Sequence, residues 1–93
     1  MVIGICRITL AMREARSLKS KRQILKSLKD KMKKRFNVSI AEVEGQDYHQ
    51  NAVIGIAVVS SSSAHADSQL QSAINFVSME AEVVDVSTRL VTI

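Results

Sequence analysis

The sequence predicts one α+β domain built in the order βαββαβ, with a four-stranded antiparallel sheet carrying both helices on one face. Three observations point there. The apolar residues repeat with period two at residues 2 to 12, with a helical period at 18 to 36 and 64 to 79, and as β-rich runs at 38 to 43, 52 to 59 and 80 to 93. The chain has no proline and three glycines, so little interrupts those elements. Its 93 residues, 46% of them hydrophobic, suffice for one core, and residues 1–93 are read as a single domain.

In the first strand Val2, Gly4, Cys6, Ile8, Leu10 and Met12 share one face, with Ile3, Ile5, Arg7, Thr9 and Ala11 on the other. After a polar bend, Ser17 is placed to cap a helix whose stripe is Leu18, Leu25, Leu28, Met32 and Phe36. Asn37, a residue that tolerates left-handed backbone, is expected to stop it. Val38 to Val43 form a short strand, and Gly45-Gln46-Asp47 read as a turn. Ala52 to Val59 are almost wholly apolar, as a central strand requires. The serines at 60 to 63 then cap a second helix with the stripe Ala66, Leu70, Ala73, Ile74 and Val77. Val83, Val84, Val86, Val91 and Ile93 mark the last strand. This order is the split βαβ, or ferredoxin-like, plan.

The single cysteine, Cys6, rules out an internal disulfide and suits a reducing compartment. The start of the chain lacks the basic segment and long apolar run of a secretory signal, and no window approaches about 18 apolar residues, so a cytoplasmic protein with no membrane partner is expected. A net charge of +4 conceals a strong asymmetry. Residues 13 to 35 hold eleven Lys and Arg against Glu14 and Asp30, a net of +9, whereas the remainder sets Arg7 and Arg89 against seven acids, a net of −5. Such polarity favours a face that meets a polyanion.

On a helical wheel Arg22, Lys26, Lys29 and Lys33 fall on one side, bordered by Lys19. The ladder lacks the interleaved glutamates that exposed helices use for pairing four residues apart, and like charges at these spacings destabilise an isolated helix. It reads as a row of phosphate contacts, or else as an ordinary solvated face. Lys21 differs, because the wheel puts it inside the apolar arc between Leu18 and Leu28. Either it snorkels past the sheet edge, or with Arg13 and Arg16 it makes an anion pocket at the helix N-terminus.

The runs Ser17-Leu18-Lys19-Ser20-Lys21-Arg22 and Arg35-Phe36-Asn37-Val38-Ser39-Ile40-Ala41-Glu42, with Gln46-Asp47 and Gln50 to Ala57, resemble the YlxP-like family of small bacterial proteins. The similarity spans essentially the whole chain. It implies a ferredoxin-like domain, a bacterial cytoplasmic setting and a link to ribosome maturation or RNA. The matching motif positions are Ser17, Leu18, Lys19, Lys21, Arg22, Arg35, Phe36, Asn37, Glu42, Asp47 and Gln50. Where family members often carry an aromatic-Gln-Arg run, this chain has His49-Gln50-Asn51, so a role needing an aromatic or a positive charge at 49 or 51 does not carry over.

Other constellations are less specific. Asp47-Tyr48-His49 and His65-Ala66-Asp67 could form two halves of a metal site, but their spacing is not diagnostic and surface histidines are expected, with no metal. Glu42 and Glu44 are expected on one strand face near Asp47, an acidic edge that reads as a general-base site or, the favoured reading, simply as the solvent side of the strand. Cys6 reads as a packed thiol. A phosphate loop, a catalytic triad and a CxxC motif are missing, so no enzymatic role and no cofactor is expected. The aromatics Phe36, Tyr48 and Phe76 avoid the middles of strands, which disfavours base stacking on the sheet.

The function expected is therefore binding of RNA or a ribosomal particle through Arg16, Lys19, Lys21, Arg22, Lys26, Lys29 and Lys33. The alternative is a homodimeric protein-interaction or small-ligand module that uses the apolar sheet face.

Overall fold

The computed structural model describes Met1–Ile93. Its elements are β1 (Val2–Ala11), α1 (Leu18–Arg35), β2 (Ser39–Glu44), β3 (Asn51–Ser60), α2 (Ser63–Glu80) and β4 (Glu82–Thr92). The strands form one sheet in the order β2-β3-β1-β4, with every neighbouring pair antiparallel. β1 and β2 are thus parallel with β3 between them, and β3 and β4 are parallel with β1 between them. This is the ferredoxin-like arrangement that the periodicities predict, and the helices make the two crossovers.

Alternation along the central strands decides where the core lies. Cys6, Ile8 and Leu10 of β1 and Ala52, Ile54 and Ile56 of β3 are almost fully buried beneath Leu25, Leu28 and Met32 of α1 and Ala66, Leu70, Ala73 and Val77 of α2. The small residues Ala66 and Ala73, one heptad apart, let α2 sit low on β1. Gly4 continues that close approach, because a Cβ there would stand 2.9 Å from Val58 Cγ2 and 3.0 Å from Leu70 Cδ1. Phe76, left out of the expected stripe, is buried as well. No helix covers the other face of the sheet. There Ile5, Val43 and Val59 remain 42%, 46% and 66% exposed.

Both helix starts are capped as expected. Ser17 Oγ accepts from the Ser20 N–H and Ser20 Oγ from the Arg16 N–H, while Ser62 Oγ accepts from the His65 N–H. Each cap is worth about 1 kcal/mol. The end of α1 departs from expectation. Asn37 is not left-handed, since no residue except Gly45 has positive φ. The chain leaves the helix at Phe36 in extended geometry, and the Phe36 N–H donates to Met32 O. A tertiary contact explains the stop: Phe36 packs edge-on against Phe76 at 6.0 Å between centroids, and the Arg35 guanidinium lies over the Phe76 ring at 4.7 Å.

The β2–β3 hairpin carries a second departure. Glu42 pairs with Ile54 but Glu44 pairs with Val53, so Val43 is the extra residue of a β-bulge. The bulge breaks the alternation. Glu42 turns to the helix side with Ile40, while Val43 lies against Gly55 and Glu44 reaches Arg7 on the uncovered side. The expectation that Glu42 and Glu44 share a face fails for that reason. Gly45, at φ 77°, begins the turn closed by the Tyr48 N–H to Gly45 O bond at 3.0 Å.

Burial also settles the state of Cys6. Desolvation raises its thiol from an ordinary value of 9.0 to about 11, so the thiolate that attacks disulfides is scarce at neutral pH. Ellman's reagent is expected to label Cys6 slowly in native protein and at once in denaturant. Because the folded chain holds this proton longer than the unfolded one, the stability tied to it is complete below pH 9.0 and declines as pH rises through about 11. A urea titration at pH 8 and pH 10.5 reads that decline.

Candidate functional site

The outer side of α1 is the most strongly charged surface of the molecule. Lys19, Arg22, Lys26 and Lys33 are exposed along it and Lys29 is half-buried, so the five stand on one flank of an 18-residue helix. From Lys19 to Lys33 the row runs roughly 21 Å at 1.5 Å per residue. Lys26 Nζ reaches Asp30 Oδ2 at 3.0 Å, a pairing four residues apart that the reading of an unpaired ladder overlooks. Lys19, Arg22, Lys29 and Lys33 have no carboxylate partner. Lys26, through its hydrogen bond and then its charge, holds the Asp30 carboxyl below its ordinary value, with Lys33 and Lys34 adding to the effect. Asp30 stays ionised and offsets one of these charges, leaving the rest to solvent.

Lys31 and Arg35 do not join this row. Lys31 reaches across to Glu80 of α2 at 3.3 Å, and Arg35 is occupied by the Phe76 ring. Arg16 is exposed one residue before the cap. Arg13 pairs with Glu82 at 3.0 Å, at the start of β4.

Lys21 requires a correction. Its side chain is 1% exposed, and the ammonium turns away from solvent toward the β2–β3 hairpin. It donates to Gly45 O at 2.7 Å and to Tyr48 O at 2.5 Å, and it stands 2.7 Å from Glu42 Oε2. An ammonium has three donors, and two of them are met by these carbonyl oxygens. The contact with Glu42 is one of charge, set off the hydrogen-bonding direction, so that Oε2 has no aligned donor of its own. Lys21 therefore neither snorkels to water nor opens an anion pocket with Arg13 and Arg16. It is a clamp between α1 and the hairpin tip, and it leaves the set of residues available to a phosphate. A signal for it lies in the sequence: Lys21 falls in the apolar arc of its helix, and Glu42 has the parity of Ile40, which faces the core.

No three His, Cys, Asp or Glu side chains converge anywhere. His49 lies in the β2–β3 loop, while His65 opens α2 with Nδ1 3.1 Å from Ser60 Oγ. They sit at opposite ends of the ten-residue β3, too far apart to share an ion. A hollow of about 460 Å³ runs along the other flank of α1 over Met12, Ile24 and Leu28. Its titratable lining is Glu14 and the Lys31–Glu80 pair. No helix is long and apolar enough to cross a membrane.

Comparison with known proteins agrees with the resemblance carried by the motif runs. "Uncharacterized protein YlxP" of Bacillus subtilis (strain 168) is 36% identical over 88 residues, which cover 95% of this chain and 96% of that protein. Among solved structures, the de novo designed protein Foldit4 superposes with a TM-score of 0.56 over 98% of this chain and 96% of its own at 14% identity, a likeness of fold alone. Residues 3–89 match the family described as "Protein of unknown function (DUF503)", and the chain belongs to that family.

Proposed function

We propose that this chain is a cytoplasmic binding protein that grips RNA, free or within a ribosomal particle, through the outer flank of α1. Arg22, Lys26, Lys29 and Lys33 contact phosphates, with Lys19 and Arg16 at the start of the row. The observation that carries this reading is a row of cations with one carboxylate among them, held on a helix whose opposite side is locked into the core. Phosphate contacts of this kind position a backbone without reading bases, so sequence preference is weak and affinity is set by salt. The aromatics support that choice of surface. Phe36 and Phe76 pack on each other between the helices and Tyr48 lies in a loop, leaving the sheet without a stacking platform. Neither catalysis nor a cofactor is needed for this role.

The test is sedimentation of the chain with ribosomal subunits and with bulk RNA at about 50 and 200 mM salt, a range over which several phosphate contacts lose orders of magnitude in affinity. Co-migration at low salt that disappears at high salt is expected. Its absence at low salt would end the proposal. A second reading has its own observation, the uncovered apolar patch around Ile5, Val43 and Val59, which suits a protein partner or a small ligand. Binding on that face would survive both high salt and charge reversal of α1.

A further inference from the structure

We infer that the free edge of β4 is a self-complementary dimer interface, through which two copies of this chain join their sheets into one of eight strands. β4 bonds to β1 on one side only, and its eleven residues contain no proline, glycine or lysine. Such an edge invites pairing with another strand, and what blunts it is confined to the irregularity at Val84 and the charges of Glu82, Asp85 and Arg89. The opposite edge differs, since β2 is six residues long and bent by the bulge at Val43. Beyond its own irregularity at Val84, β4 runs in unbroken register against β1 from Asp85 to Thr92.

Charge then selects the partner and the register. Asp85 and Arg89 pair with Thr9 and Ile5, so they share the uncovered face of the sheet with Ser87 midway between them. Both are exposed and neither has an ion-pair partner within the chain. They cannot satisfy each other, because four residues of strand hold them roughly 13 Å apart. When two copies of β4 meet antiparallel about Ser87, Asp85 of each lies directly opposite Arg89 of the other, giving two cross-strand pairs. No other antiparallel register matches both. The same alignment sets Val86, 36% exposed, against Thr88 of the second copy and brings Val84 beside Leu90, which are 63% and 41% exposed. Electrostatics beyond the strand do not oppose the meeting. α2, the helix over β1 and β4, carries no charge between Asp67 and Glu80, whereas the basic α1 packs on the β2 side and stays remote from the two-fold axis.

The experiment is sedimentation equilibrium of the full chain, free of nucleic acid, over a wide concentration range at low salt. Its result does not depend on whether α1 binds RNA. Wild type is expected to approach twice 10.2 kDa. Asp85→Arg and Arg89→Asp should each weaken association by about 10- to 100-fold, since each turns two attractions into repulsions. The double variant Asp85→Arg/Arg89→Asp should recover it. Circular dichroism confirms that each variant is folded, as exposed positions predict. A wild-type monomer at the highest concentration, an Asp85→Arg variant that associates like wild type, or a folded double variant that stays monomeric would each overturn the inference.

Discussion

Lys21→Ala is expected to lower the thermal midpoint by on the order of 20 °C. Removing one member of a buried ion pair costs about 3–5 kcal/mol, because the charge left behind has lost both water and partner. Here Glu42, 16% exposed at its side chain, is the group stranded, and Gly45 O and Tyr48 O lose their donor with it. Lys21→Met should fare little better, although it keeps the apolar stem, which separates loss of charge from loss of packing. Lys21→Met/Glu42→Leu should regain a substantial part of the stability, since replacing both partners by apolar groups leaves no orphaned charge. Thermal and urea melts followed by circular dichroism decide the matter. A cost below about 1 kcal/mol for Lys21→Ala would mean that the ammonium behaves as a surface charge, against the geometry described above.

The second large effect concerns affinity. Lys26→Glu/Lys29→Glu/Lys33→Glu changes each of three side chains from +1 to −1, taking the net charge from +4 to −2. Each phosphate contact removed should flatten the plot of log affinity against log salt by about 0.7 to 0.9, so the three together lower its slope by roughly 2 to 3. Repulsion from the new carboxylates deepens the loss, and binding to ribosomal subunits or RNA should fall below detection at about 100 mM salt. The fold should persist, because none of the three is a core residue. Losing the Lys26–Asp30 contact, an exposed pair, costs a few tenths of a kcal/mol at most. If the triple variant binds with wild-type affinity and slope, the basic flank is not the interface and weight passes to the apolar sheet face.

Periodicity makes the architecture legible in the sequence, because burial on one side of a strand or helix imposes its repeat on the sequence directly. The face of β1 from Val2 to Leu10, the Ser17 cap and the stripe Leu25, Leu28 and Met32 are all of this kind. Features that depend on contacts distant in sequence were not legible in the same way. Phe36 ends α1 through Phe76, forty residues on, so a reading based on Asn37 misplaces the cause. The bulge at Val43 shifts the parity of one strand, and alternation cannot anticipate an inserted residue. Lys21 lay between the two cases: its wheel position marked it as exceptional, but its partners Glu42, Gly45 and Tyr48 emerge only once β2 is docked beside the helix. Composition identifies the basic flank, since charge density needs no tertiary information.

The Lys21 clamp has a further meaning for how the molecule opens. A hairpin tip is ordinarily among the first segments to fray, and its amides exchange with solvent independently of the elements around it. With Gly45 O and Tyr48 O bonded to a side chain rooted in α1, the tip cannot loosen until that helix lifts away. Helix and loop become one cooperative unit, and whatever steadies the outer flank of α1 slows hydrogen exchange in a turn it never touches.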